Sequence, residues 1–94
     1  MRPSEALARH REEVLEIIRR YPVSNPRIFG SVARGEDTEE SDVDILVDRI
    51  GPMSYFDIFR LEDEIKSVLG CEVEVFTALK PHVAVSVASE LRAI

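Results

Sequence analysis

The chain reads Gly30-Ser31-Val32-Ala33-Arg34-Gly35 and, after a short acidic segment, Ser41-Asp42-Val43-Asp44-Ile45-Leu46-Val47. The first stretch combines glycines, a hydroxyl and a basic side chain. This combination is typical of a turn that opens a short helix beside a ligand. The second stretch alternates aspartates with apolar residues, which is the period-two pattern of a β-strand. Together the two stretches predict a tight turn and short helix, followed by a strand that carries two carboxylates.

Patterning on the N-terminal side predicts a helix and a strand before the turn. We expect Ser4 to cap a helix that runs to about Arg20, with Pro22 ending it. One face of this helix is apolar at helical spacing and is expected in the core, with Leu7, Val14, Ile17, Ile18 and Tyr21. A short buried strand, Arg27–Phe29, is expected to lead into the turn.

Patterning on the C-terminal side predicts three further elements. Ser54 and Asp57 resemble a capping pair for a helix whose apolar stripe closes at Gly70. Alternation predicts a third strand over residues 72–76. Pro81 suits the start of a last helix reaching about residue 92. Its valines also fit a strand, but its Ala, Glu, Leu and Arg content favours a helix.

The predicted order is α, β, short α, β, α, β, α, within one domain that spans residues 1–94. This order favours an α/β (α+β) fold, with a small mixed β-sheet and helices packed on it.

Composition narrows the possible partners. The chain has 18 acidic against 12 basic residues and a net charge of −6, so no direct nucleic-acid binding is expected. We expect no membrane span and no signal peptide, because long apolar runs are absent. The lone Cys71 has no disulfide partner and is expected to be a small apolar residue, which favours a cytoplasmic location. His10 and His82 do not fall near the motif and are expected to be surface residues.

The spacing of the aspartates indicates a metal site. Asp42 and Asp44 share one face of their strand, and two neighbouring carboxylates repel each other unless a cation lies between them. Mg²⁺ is the expected cation, and a third carboxylate from a neighbouring strand would complete a site for two ions. Glu74 is the first candidate for that third carboxylate, and Glu72, on the same face, is its competitor.

The turn before the strand indicates a phosphate site. Gly30 allows a close approach of the backbone, Ser31 offers a hydroxyl donor, and the Arg34 guanidinium can reach a phosphate. Gly35 supplies the backbone freedom to leave the turn. The Gly-Lys-Ser/Thr of a P-loop is absent, which excludes that phosphate-binding fold. Carboxylates, cation and phosphate together point to nucleotidyl transfer.

Over nearly its whole length the chain resembles the minimal nucleotidyltransferase (MNT) family of the DNA polymerase β-like superfamily. The family pattern Gly-Ser-x-Ala-Arg-Gly, then Ser-Asp-x-Asp-hydrophobic-hydrophobic-Val, is matched in full by residues 30–35 and 41–47. The third family block, Val-Asp-hydrophobic-hydrophobic-Thr, reads Val73-Glu74-Val75-Phe76-Thr77 here. Glu74 therefore replaces an Asp, and its extra methylene moves the carboxylate by about 1.5 Å.

The resemblance implies the polymerase β-like fold and a set of roles. Asp42, Asp44 and Glu74 would be catalytic and would hold Mg²⁺. Residues of the turn would bind the triphosphate of ATP, namely Gly30, Ser31, Arg34 and Gly35. The reaction would move AMP onto a hydroxyl of a partner protein, and the resemblance implies an antitoxin that adenylylates a HEPN-domain toxin in a hetero-oligomer.

Two other functions remain open from the sequence. The chain could be an antitoxin that neutralises its toxin by binding alone, or it could transfer nucleotides to a small molecule. Tyr55, Phe56 and Phe59 could contact a partner, but we expect them in the core.

Overall fold

The computed structural model describes residues 1–94, which form five helices and four strands. The helices are α1 (Pro3–Arg9), α2 (Arg11–Ile18), α3 (Ser31–Arg34), α4 (Tyr55–Leu69) and α5 (Pro81–Val87). The strands are β1 (Val23–Phe29), β2 (Val43–Arg49), β3 (Val73–Phe76) and β4 (Arg92–Ala93). They form one sheet in the order β3-β2-β1-β4. The β2–β3 pair is parallel and the other two pairs are antiparallel, which confirms the predicted mixed sheet with helices.

The two faces of the sheet are covered unequally. Helices α1, α2 and α4 pack on one face, where Val43, Ile45 and Val47 of β2 join the main hydrophobic core. A smaller cluster lies on the opposite face, where Leu46 packs with residues of β1 and α5. Because successive side chains of a strand alternate between faces, Asp44 belongs to the same face as Leu46. Asp44 therefore lies on the face with the smaller cluster, which is the thinly covered face of the sheet.

Helix α4 confirms the predicted capping. The Ser54 hydroxyl accepts a hydrogen bond from the Asp57 amide, and the Asp57 carboxylate accepts one from the Ser54 amide. Gly70 ends the helix in the left-handed region at φ 74°. None of the five helices has the length and apolar character that a membrane crossing requires.

The N-terminal region differs from the single predicted helix. The chain breaks at His10, whose φ of −109° and ψ of 22° lie outside the helical region, and α2 begins at the next residue. The His10 Nδ1 atom pairs with the Glu13 carboxylate at 2.8 Å, a local contact that accompanies the break. Arg2, not Ser4, holds the N-cap position. The Ser4 amide instead donates to Asp37 Oδ2 at 2.8 Å, so the acidic segment after α3 is tied to α1.

The C-terminal region also differs from the prediction. Helix α5 ends at Val87, and the last residues form β4, which pairs with Arg27 and Ile28 of β1. The prediction of a helix to residue 92 is wrong because the outer edge of β1 would otherwise remain unpaired. Strand β1 itself begins at Val23, four residues before the predicted start.

Strand β3 forms one edge of the sheet. Its Val75 amide donates to Glu62 Oε2 of α4 at 2.8 Å, so a side chain takes the hydrogen bond that a further strand would otherwise satisfy. This bond joins α4 to the peptide that follows Glu74.

Candidate active site

Asp44 lies at the centre of the candidate site. It pairs in register with Phe29 of β1 on one side and with Glu74 of β3 on the other. Residues directly opposite on adjacent strands share a face, at a strand spacing of about 4.8 Å. Asp44 and Glu74 are therefore side-by-side carboxylates on the thinly covered face of the sheet.

Asp42 lies just before β2 and is exposed, whereas Asp44 is half-buried. No group of three or more acidic, histidine or cysteine side chains is drawn together closely enough to hold a metal ion in this arrangement. The sheet thus brings Asp44 and Glu74 together. Asp42 lies on the same face, two residues before Asp44.

The electrostatics of the site centre on Asp44. Its pKa is raised from the ordinary 3.8 to about 6, chiefly by burial and then by the nearby charges of Glu74, Asp42 and Glu90 in that order. These like charges make ionised Asp44 unfavourable without a compensating cation.

Gly30 leads the chain from β1 past Asp44 into α3. Its φ is 80°, and a Cβ atom built at this position would lie 2.8 Å from Asp44 Oδ2. Both the backbone conformation and the space therefore require glycine. Ser31 is the first residue of α3, whose first turn has N–H groups without helical partners.

Gly35 ends α3 in the left-handed region at φ 73°, and a Cβ there would meet no atom within 4 Å. Gly35 is the C-cap of α3, and its conformation lets the chain leave the turn, as predicted from the sequence.

Arg34 is engaged by two carboxylates. Its Nε donates to Glu36 Oε1 at 2.6 Å and its Nη1 donates to Glu90 Oε2 at 2.9 Å. These contacts raise the pKa of Arg34, Glu90 first and Glu36 second. The other oxygen of Glu90 accepts the Gly30 amide at 2.9 Å.

Glu90 is the site residue that sequence reasoning missed. It lies between α5 and β4, far from both motif blocks in the chain, in a segment that was expected to be helical. Only the pairing of β4 with β1 brings it to the turn, and no local pattern indicates that pairing.

The two glutamates proposed as third carboxylate have different surroundings. Glu72 precedes β3 and pairs with Lys66 at 2.9 Å. The Glu74 side chain forms neither a hydrogen bond nor an ion pair within the chain, and Glu74 is the register partner of Asp44. This geometry favours Glu74 over Glu72.

Three aromatic side chains at the start of α4 do not lie in the core, contrary to our expectation. Tyr55, Phe56 and Phe59 are 79%, 81% and 56% exposed, because Leu61, Ile65 and Leu69 occupy the buried face of the same helix. Cys71 is half-buried and packs against the main core, and burial raises the pKa of its thiol.

Comparison with known proteins identifies the family of the chain. The family described as nucleotidyltransferase domain matches residues 8–93. Protein adenylyltransferase MntA of Thermococcus cleftensis is 37% identical over 87 residues, which cover 90% of this chain and 85% of that protein. A solved structure described as a candidate minimal nucleotidyltransferase superposes with a TM-score of 0.83 at 34% identity, covering 97% of this chain and 95% of the other.

A more distant solved structure shares the fold. It is described as a toxin–antitoxin with AMP-PNP, and it superposes with a TM-score of 0.76 at 17% identity. The match covers 87% of this chain and 69% of that chain. With the family match over most of its length, the chain belongs to the nucleotidyltransferase domain family, as a minimal nucleotidyltransferase, and is a transferase enzyme.

Proposed function

We propose that the chain is a Mg²⁺-dependent protein adenylyltransferase that moves AMP from ATP onto a hydroxyl of a HEPN-domain toxin. The observation that carries this proposal is the position of Asp44, which lies against Gly30 of the turn and beside Glu74 of the neighbouring strand. Carboxylates for a cation and a turn for phosphates thus meet at one point of the sheet.

The residues of the site fit Mg²⁺ by their chemistry. Asp42, Asp44 and Glu74 offer only carboxylate oxygens, the ligands that this ion prefers. The raised pKa of Asp44 reflects burial first and then like charges, and a cation would offset both. Asp42 and Glu74 are exposed and can turn toward Asp44 by a change of side-chain rotamer. When bound, Mg²⁺ supplies charge neutralisation of the triphosphate and helps to align the reacting oxygens.

The turn from Gly30 to Arg34 suits the triphosphate. Gly30 has no side chain to keep a ligand from Asp44, and Ser31 opens the short helix beside it. The free N–H groups of a first helical turn and a serine hydroxyl are suitable phosphate donors. The distant structural relative described with AMP-PNP supports an adenine nucleotide as the substrate.

The proposed transfer forms a bond between the acceptor oxygen and the α-phosphorus of ATP. The bond from that phosphorus to the oxygen bridging to the β-phosphate breaks, and pyrophosphate leaves. Glu74 is exposed and unpaired, so it can take the proton of the acceptor hydroxyl or support the cation.

The acceptor is proposed to come from the partner toxin. The names of the relatives support this choice, since one is a protein adenylyltransferase and another is part of a toxin–antitoxin. A cytoplasmic setting would supply ATP and keep the lone Cys71 reduced.

The test is transfer of labelled AMP. The purified chain, Mg²⁺ and α-labelled ATP should label the proposed HEPN-domain partner toxin, and γ-labelled ATP should not. Asp44→Asn should abolish the label, whereas Asp63→Asn, an exposed acid on α4, should leave it intact. A toxin that stays unlabelled with the unmodified chain would refute the proposal.

A second candidate function is neutralisation by binding alone. Glu74 in place of the family's Asp, together with the absence of a closely gathered three-carboxylate cluster, favours this candidate. The same Asp44→Asn variant separates the two functions in a growth-rescue assay with the toxin. Loss of rescue with toxin binding retained supports catalysis, and full rescue supports binding alone.

A further inference from the structure

We propose that Glu90 is a positioning residue of the nucleotide site, which fixes the Gly30 peptide and orients the Arg34 guanidinium toward the triphosphate. This inference rests on the proposed function. It arises from one side chain that bonds two parts of the same turn: Oε1 accepts the Gly30 amide and Oε2 accepts Arg34 Nη1, each at 2.9 Å.

The sheet itself places Glu90 at the turn. Strand β4 pairs Ala93 with Arg27 and Arg92 with Ile28, so the same register continued along β1 sets Glu90 opposite Gly30. The Gly30 amide has no backbone acceptor at this position and donates to the Glu90 carboxylate instead. The antiparallel pairing therefore places the backbone of Glu90 where its side chain reaches the turn.

Of the two carboxylates that bind Arg34, Glu90 is the better anchor. Its side chain is 17% exposed, whereas that of Glu36 is 64% exposed. An exposed ion pair contributes little and is screened by salt, and a less exposed pair with a second hydrogen bond holds its geometry more firmly. Arg34 and the Gly30 amide both lower the pKa of Glu90, so the carboxylate stays ionised.

The hydrogen bonds to Glu90 leave Arg34 able to bind an anion. A guanidinium has five N–H donors. Nε donates to Glu36 and Nη1 donates to Glu90, while Nη2 donates to no group of the chain. Glu90 thus holds one edge of the guanidinium and leaves Nη2 for a phosphate oxygen. Glu90 also keeps the Gly30 peptide fixed where it passes Asp44.

The experiment measures binding of Mg²⁺–AMP-PNP by calorimetry to the whole chain and its variants. Glu90→Ala should weaken binding about tenfold or more, because both the peptide and the guanidinium lose their anchor. Glu90→Gln should weaken binding less, since its amide oxygen can still accept the Gly30 amide. The matched control is Glu36→Ala, which removes the exposed partner of Arg34 and should change binding by less than about threefold.

Two further readouts separate positioning from general destabilisation. Thermal unfolding should show that Glu90→Gln remains folded at the assay temperature. In an Arg34→Ala background, Glu90→Gln should cause almost no additional loss of binding, because the two residues act together.

Three results would overturn the inference. An equal effect of Glu90→Ala and Glu36→Ala would show that Glu90 has no special part. Tighter binding in Glu90→Ala would show that the carboxylate occupies the phosphate position and competes with the nucleotide. Additive losses with Arg34→Ala would show that Glu90 does not orient the guanidinium. Failure of the unmodified chain to bind AMP-PNP would instead refute the proposed function on which the inference rests.

Discussion

The Asp44 carboxylate lies so close to the α-carbon of Gly30 that a methyl group there would come within 2.8 Å of Asp44 Oδ2. This closeness joins the end of β1 to the start of β2, the neighbouring strand. It fixes the distance between the turn that is proposed to hold phosphates and the carboxylate that is proposed to hold the cation. The geometry of the site thus depends on the absence of one side chain.

Gly30→Ala should abolish transfer of AMP while leaving the chain folded. The new methyl group would push the Asp44 carboxylate aside, and a shift of about 1 Å at a reacting centre can cost on the order of 100-fold in rate. The left-handed φ of 80° adds a backbone cost of about 1 kcal/mol or more. The measurement is the rate of labelling beside urea unfolding.

Gly70→Ala is the matched control for this substitution. Gly70 has a φ of 74°, but a Cβ there would meet no atom within 4 Å. It should show a similar backbone cost of about 1 kcal/mol and an unchanged rate. Equal rates in the two variants would contradict the importance of the Gly30–Asp44 approach.

The contribution of Asp44 to the stability of the metal-free protein should decrease as the pH rises from about 4 to about 6. Asp44 has an ordinary pKa of 3.8 and a folded pKa of about 6, so in this window the folded state holds a proton that the unfolded chain has released. The contribution of protonated Asp44 is complete below pH 4 and is lost as the pH passes through 6.

Asp44→Asn should remove this dependence, which urea unfolding across the pH series would reveal. The carboxyl carbon resonance of Asp44 should titrate near pH 6, and Glu74→Gln should move its midpoint downward. Mg²⁺ should also lower the midpoint, since a cation favours the ionised form. A midpoint near 4 without metal would contradict the burial of Asp44 beside other carboxylates.

Glu74→Gln should lower the rate of AMP transfer by about 100-fold, because the variant cannot take a proton or hold a cation as a carboxylate can. Glu74→Asp should retain more activity than Glu74→Gln. Glu72→Gln is the control and should change the rate little, since Glu72 precedes β3 and pairs with Lys66. If Glu72→Gln lowered the rate more than Glu74→Gln did, Glu72 would be the third carboxylate.

Phe56→Ala and Leu61→Ala should differ greatly in their effect on stability, although both residues lie on α4. Phe56 is 81% exposed, so its truncation should change the free energy of unfolding by less than about 0.5 kcal/mol. Leu61 is fully buried, so its truncation should cost about 2–5 kcal/mol. Urea unfolding of both variants is the measurement. A large loss in Phe56→Ala would show that this side chain packs in the core in solution.

The parts of the fold that sequence could predict are those set by local pattern. The capping pair at Ser54 and Asp57, the stop at Gly70 and the alternation around Asp44 each act within a few residues, and each is present as expected. The short helix between Gly30 and Gly35 is present for the same reason.

The parts that the sequence analysis did not predict depend on distant partners. Helical spacing continues across His10, so the pattern alone gives no indication of the break there. Asp37 is buried, at 4% exposed, and accepts the Ser4 amide, a contact across the fold. Glu90 reaches Gly30 only after the chain returns along β1. Aromatic residues at the start of α4 look like core residues until the orientation of the helix is known.

The hydrogen bond that the Glu62 carboxylate accepts from the Val75 amide of β3 affects how the protein should behave at high concentration. An open strand edge is a template on which other molecules can add strands and aggregate. Here the edge at β3 is occupied by an acidic side chain, and the opposite edge is a strand of two residues, too short to template much pairing. Both ends of the sheet are therefore poor starting points for growth, so partners of this chain should be recruited through side chains and not by lengthening its sheet.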